Sequence, residues 1–159
     1  MTHRTILLAG AMLALGSCDT FLGSPAPPPG AIAPMGSAAL TTATKPPFGN
    51  FVVDGSGRSV YALIGTRGGS GINRCSGPCL GVWPPVPAPA APTVGSGLSP
   101  AGLRAVSGFA GAQMSYSGWP LYYYHHDMRP GDTNGQGVRD QWGTWYLLRP
   151  SGEPLTPRY

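Results

Sequence analysis

Charge is scarce in this chain: 10 basic and 6 acidic residues stand among 159, with a single lysine and a single glutamate. A coiled coil or helical bundle needs Ala/Glu/Lys/Leu-rich heptads and is excluded. No glycine recurs at every third position, which excludes a collagen-like fibre. The arginines stand singly, without the clustered bases and interleaved aromatics of a nucleic-acid surface, so no nucleic-acid partner is expected. No apolar run approaches the length of about 20 residues that crosses a bilayer. Catalytic signatures are equally thin. There is no Gly-x-Ser-x-Gly elbow, and the glycine-rich stretch 67–71 lacks the Gly-Lys-Ser/Thr ending of a phosphate loop. No Cys-x-x-Cys-His haem attachment occurs. Glu153 sits beside Pro154 in a C-terminal turn, and His125 or His126 next to Asp127 is the one conceivable general base. No enzymatic activity and no cofactor are expected.

What the chain does have is 25 glycines, 19 prolines and 15 aromatic residues (4 Trp, 7 Tyr and 4 Phe). The aromatics concentrate in the second two-thirds and carry enough apolar surface to order a core. Strand-like runs are short and punctuated by turn residues. Phe51-Val52-Val53, the turn at 54–57 and the run 58–64 (RSVYALI) read as a hairpin. Residues 113–116, the Ser117-Gly118 turn and 119–124 repeat the scheme, and 145–148 form a late strand running into the turn at 149–152. The helical candidate is 99–106, with Ser99 as cap and Pro100 in the first position, interrupted by Gly102. This is the pattern of a small all-β fold.

The chain begins with a basic start, Met1 to Arg4, followed by eleven apolar residues at 5–15 and then Leu15-Gly16-Ser17-Cys18. The length fits the hydrophobic region of an export signal. The residues before Cys18 resemble a bacterial lipobox, in which cleavage precedes a lipidated cysteine. Residues 1–17 are therefore expected to be a lipoprotein signal peptide, with Cys18 lipidated and the protein held at the cell membrane, facing the periplasm or the exterior. Asp19 resembles the signal that retains lipoproteins in the inner membrane of enteric-type bacteria. Loss of Arg4 leaves nine basic and six acidic residues, a balance of +3. Residues 18–47, rich in Pro, Ala and Gly, read as a flexible tether, and the folded part as 48–159. Sliding the sequence by 61 positions places Gly57-Arg58-Ser59-Val60-Tyr61-Ala62-Leu63 on Gly118-Trp119-Pro120-Leu121-Tyr122-Tyr123-Tyr124. With a small further shift Trp83 meets the Trp142/Trp145 region. Two related β units, about 48–90 and 108–152, are expected to pack as one domain, since neither buries enough surface alone. The proline run 84–92 reads as the spacer between them.

Tyr122-Tyr123-Tyr124-His125-His126-Asp127 fits the pattern Tyr, any, aromatic, any, any, Asp. Tyr116 to Leu121 precede it, Pro130-Gly131-Asp132-Thr133-Asn134-Gly135 follow, and Cys75-Ser76-Gly77-Pro78-Cys79 and Val82-Trp83-Pro84-Pro85 stand upstream. In that order these elements resemble the bacterial predicted lipoproteins known as the secreted repeat of unknown function family, over roughly 48–152. The resemblance implies tandem repeats in exported proteins without a settled activity. The first unit departs from the motif, with Leu63 and Thr66 where an aromatic and Asp would stand. Asp127 is placed to accept backbone N–H groups and close a turn. In a strand, Tyr122 and Tyr124 share one face, and Leu121, Tyr123 and His125 the other. The competing reading is a ligand platform of Trp119, Tyr122 and Tyr124 with Asp127 and the histidines at its rim.

With Cys18 lipidated, Cys75 and Cys79 remain as an even pair in an oxidising compartment, and a disulfide is expected. So small a ring contributes about 2 kcal/mol in the chain-entropy model. The alternative is copper or redox handling: a Cys-x3-Cys pair with a distant histidine resembles the ligand set of copper-delivery proteins with a thioredoxin-like fold, using Cys75, Cys79 and His125 or His126. Calcium has a faint case in Asp132, Asn134, Asp127 and Asp140, but the bidentate acid of an EF-hand loop is missing. The leading expectation is a non-catalytic binding or interaction module for a protein or small molecule. The anchor is testable: a Cys18→Ser variant should move from the membrane to the soluble exported fraction, and retention on the membrane would refute lipidation.

Overall fold

A computed structural model describes residues 38–65, 74–108 and 111–157; the expected signal peptide, Cys18 and most of the tether lie outside the described residues. Residues Ala33–Tyr159 cluster as one compact unit. Its regular structure, among the described residues, is almost wholly strand. The first hairpin pairs β1 (Ala38–Lys45) with β2 (Gly49–Asp54) in antiparallel register, Leu40 facing Asp54 and Lys45 facing Gly49. The folded part thus begins ahead of the expected boundary at 48. The sequence Ala-Ala-Leu-Thr-Thr-Ala-Thr-Lys lacks aromatics, yet its β-branched threonines suit a strand once β2 supplies a partner. Thr93–Val94 (β4) adds to β1 in parallel, and β3 (Tyr61–Ile64) follows β2 in the chain.

A second hairpin, β5 (Leu103–Gly108) with β6 (Gly111–Tyr116), is extended by β7 (Trp119–Pro120), whose pairs are Ser115 with Pro120 and Tyr116 with Trp119. Here the sequence-based hairpin at 113–124 forms as far as Leu121, beyond which Tyr122 pairs with Tyr61 and Pro85. The helix expected at 99–106 does not. A single 3₁₀ turn at Pro100–Gly102 gives way at once to β5. Gly102 weakens any helix, and a Cβ there would come within 2.9 Å of the Tyr116 ring. Among the described residues the one α-helical turn, α1 (Cys79–Val82), begins at the disulfide instead.

The first expected hairpin also differs. β2 and the following segment meet only at the Val53–Ser59 bridge, and β3 pairs with β9 (Gly143–Leu147), Tyr61 facing Leu147 and Ile64 facing Thr144. β8 (Arg139–Asp140) lies on the other side of β9.

The two halves repeat in their bonding. β2 and β6 share the burial pattern of two exposed residues followed by four buried ones. The turn glycines Gly57 and Gly118, related by 61 positions, have φ of 85° and 86°. Val52 N–H donates to Leu148 O at 2.9 Å, and 62 positions later Met114 N–H donates to Val86 O at 2.8 Å. The equivalent residues Tyr61 and Tyr122 bond each other, N–H to O both ways, at 2.8 and 3.0 Å. An antiparallel pair between equivalent residues is the local mark of two-fold symmetry.

The two related halves pack as one domain, as expected, and they do so by exchanging strands. Each gives its last extended segment to the other. β9 of the second half completes β3 of the first. In return Pro85 bridges Tyr122 and Pro87 bridges Gln113. The proline run is therefore no spacer at its start: prolines 84, 85 and 87 flank Val86, whose N–H and C=O are both used across the strands.

Strand alternation feeds two apolar clusters. Val52, Val60, Ala62, Leu121 and Leu148 enter a mainly aliphatic one, and Phe51, Val53, Tyr61, Tyr122 and Leu147 enter an aromatic one with both cysteines.

Candidate functional site

The aromatic cluster is organised around stacked rings. Trp83 and Trp145, equivalent at a spacing of 62, lie face to face with centroids 3.9 Å apart and planes 9° from parallel. Tyr124 stacks on the other face of Trp83 at 4.3 Å. Tyr122 meets Trp145 edge-on at 5.4 Å, and Tyr61 meets Trp83 edge-on at 5.6 Å. Both indoles are fully buried, so their N–H groups need partners, and both donate to Asp140 Oδ2 at 2.9 Å. Asp140 Oδ1 accepts the N–H groups of Trp142 and Gly143, closing the turn between β8 and β9.

Two other aspartates solve the same problem in the same way. Asp127 Oδ2 takes the hydroxyl of Tyr61 at 2.6 Å, and its Oδ1 takes the N–H of Asn134 at 2.9 Å. Asp54 Oδ2 takes the hydroxyl of Tyr123 at 2.8 Å, while its Oδ1 accepts from Ser56 N–H, Ser56 Oγ and Arg58 N–H. The Arg58 guanidinium lies 4.0 Å over the Tyr123 ring. Burial first, and then the accepting carboxylate, push the Tyr61 and Tyr123 phenols well above the ordinary tyrosine value.

The loop after Asp127 is held from several sides. Asp132 Oδ2 accepts Met128 N–H and Arg129 N–H. Lys45, the one lysine, donates to Gly131 O at 2.9 Å and to Thr133 Oγ1 at 3.1 Å. Gly135 fits because a Cβ there would lie 2.8 Å from the Tyr61 ring and 3.1 Å from Trp83.

The sequence-derived candidates separate on this frame. Tyr122 is 1% exposed and Asp127 7%, both inside the packing rather than on a surface. The Tyr122 hydroxyl accepts Cys75 N–H at 3.1 Å. Trp119 packs on the aliphatic cluster and Tyr124 on the aromatic one, so the expected platform of Trp119, Tyr122 and Tyr124 is not assembled on one face. Cys75 and Cys79 form the disulfide, both buried, with Cα atoms 5.5 Å apart. As a disulfide they offer no thiolate, and among the described residues no three of His, Cys, Asp and Glu gather as a metal-ligand group, so the Cys75/Cys79/His set is not formed. The faint calcium case also dissolves, since Asp127, Asp132 and Asp140 each accept N–H or O–H groups.

What remains on the surface is a ledge at 124–128. Tyr124 is half-buried on its Trp83 support, His125 and His126 are exposed, and Met128 is 81% exposed. The two imidazoles have centroids 3.6 Å apart, each 5.2 Å from the Tyr124 ring. The Tyr124 phenol is raised above its ordinary value, by desolvation first and then by the Asp127 and Asp140 carboxylates. Sequence reading singled out the histidines but passed over Met128 and gave Asp140 no structural role. The spacing of Trp83 and Trp145 was the available signal for Asp140.

Residues 109–149, roughly a quarter of the chain, match the model of a family described as a secreted repeat of unknown function. It is the family resembled at the Tyr122–Asp127 motif. No curated protein and no solved structure matches the chain.

Two outcomes follow from this geometry. Asp127→Ala leaves the buried Tyr61 hydroxyl and the Asn134 N–H without their acceptor, which should cost about 2–4 kcal/mol, read as a lowered melting temperature; an unchanged melt would refute the turn-closing role. The raised phenols also set an alkaline limit. The folded chain keeps protons on Tyr61 and Tyr123 that the unfolded chain loses above the ordinary phenol value of about 10, so stability is level below that pH and falls as pH rises past it. Thermal melts across that range should show the decline, and Tyr61→Phe should make it shallower.

Proposed function

We propose that the protein is a lipid-anchored, non-catalytic binding module of the cell envelope, presenting the ledge at 124–128 to its ligand or partner. The export and anchor part rests on the apolar stretch at 5–15, the lipobox-like residues before Cys18 and the secreted-repeat match. The observation that carries the binding part is how the polar side chains are spent. The carboxylates of Asp54, Asp127 and Asp140 each accept at least two donors from the protein itself, which suits structure rather than acid–base chemistry. The imidazoles stand exposed against Tyr124, which stacks on the packed Trp83 and Trp145, and Met128 is exposed beside them in the chain.

Such a ledge adds adaptable contact groups to a support that loses little entropy on binding, the arrangement that favours recognition. Footprinting with diethyl pyrocarbonate tests it. In intact cells His125 and His126 should react several-fold more slowly than in the purified, metal-free protein, whereas equal reactivity would overturn the reading.

A further inference from the structure

We propose that His125 and His126, with the thioether of Met128 close by in the chain, form a copper-binding site on this ledge. The inference rests on the ledge being the binding face and names its ligand. It uses none of the cysteines.

The orientation of His125 is the first observation. Its Nδ1 lies 3.2 Å from Val82 O, and its backbone N–H donates to the same carbonyl at 3.0 Å. A carbonyl can only accept, so Nδ1 carries the proton and the Nε2 lone pair is left free. An imidazole whose second nitrogen is tied to a backbone carbonyl is the arrangement that orients histidine ligands for metals. Val82 ends the helical turn that begins at Cys79, so the disulfide steadies the carbonyl that aims the ring.

The second observation is the pairing of the rings. The His126 imidazole sits 3.6 Å from that of His125, centroid to centroid, with the planes 42° apart. The backbone beneath is fixed by Asp127 N–H to Tyr124 O at 3.0 Å and by Asn134 Nδ2 to His126 O at 3.4 Å. Two imidazoles held together in this way pay little ordering cost to share one ion.

The third is the donor chemistry. Met128 is the one large hydrophobic side chain that stands exposed among the described residues, and its N–H is pinned by Asp132. Imidazole serves both cupric and cuprous ions, a thioether favours the cuprous one, and copper(II) heads the affinity order of the divalent first-row metals. Among the described residues no third His, Cys, Asp or Glu joins the pair as a metal-ligand group, which disfavours zinc, an ion that prefers a fuller set of those donors.

The test is titration of the purified, non-reduced full chain with cupric chloride, and anaerobically with cuprous ion against a competing chelator. Binding of one equivalent is expected, weakened about tenfold or more by His125→Ala or by His126→Ala. Met128→Leu should weaken the cuprous complex more than the cupric one. His3 is the only other histidine, and a His3→Ala variant should bind as the parent does. Uptake that survives the His125/His126 double replacement, or that appears only after the disulfide is reduced, would overturn the proposal, as would no uptake at all. If copper is not bound while the imidazoles are still protected in cells, the copper assignment fails and the binding module stands.

Discussion

One carboxylate holds the interior together. Two stacked indoles from opposite halves of the molecule turn their N–H groups to the same oxygen of Asp140, and the other oxygen fastens the turn that starts β9. Hydrogen bonds to an ionised acceptor are stronger than neutral ones, and in a dry cluster an unmatched indole N–H would be costly. Asp140 therefore fixes the depth and rotation of both tryptophans at once. Everything stacked on them inherits that position, through Trp83 to the Tyr124 ring. The backbone cooperates: Gly143 adopts a φ of 146°, and a Cβ there would collide with the carbonyl of Ile64.

Asp54 and Asp127 apply the same device at two further places, each closing a turn with one oxygen and holding a phenol with the other, half-buried Tyr123 and buried Tyr61 respectively. A domain of short strands and long turns has many backbone N–H groups without a ladder partner. Short acidic side chains satisfy those groups and also anchor a ring. This explains how so few acids suffice: three of the six serve both tasks. It also gives the motif a physical sense, because Asp127 is the acceptor that Tyr61, from the opposite half, requires.

The local part of this design was legible in the sequence. Strand alternation foretold that Tyr122 and Leu121 would point into different clusters, and they do. The Cys75–Cys79 pair and the hairpin at β6–β7 rest on contacts between near neighbours, and local turn chemistry specifies them. The pairing of β3 with β9 joins residues eighty or more positions apart, and nothing within either segment records its partner. Pro84 to Pro87 misled because proline removes donors, yet Val86 between them keeps the one N–H the strand must give. β1 was hidden in a small-residue stretch whose strand character depends on β2. Met128 escaped notice because exposure is decided by the loop around it, which Lys45 and Asp132 hold.

The exchange of closing segments bears on ancestry. A polypeptide carrying one half alone would lack the strand that completes its sheet, and a second identical molecule would supply it. Two such halves would meet by exchanging their ends. Tandem duplication would turn that concentration-dependent encounter into an intramolecular one, at the high local concentration a short connection provides. Once fused, the copies need no longer be identical. The first carries Leu63 and Thr66 where the motif has an aromatic and an acid, and its Tyr61 hydroxyl is held by Asp127 of the second.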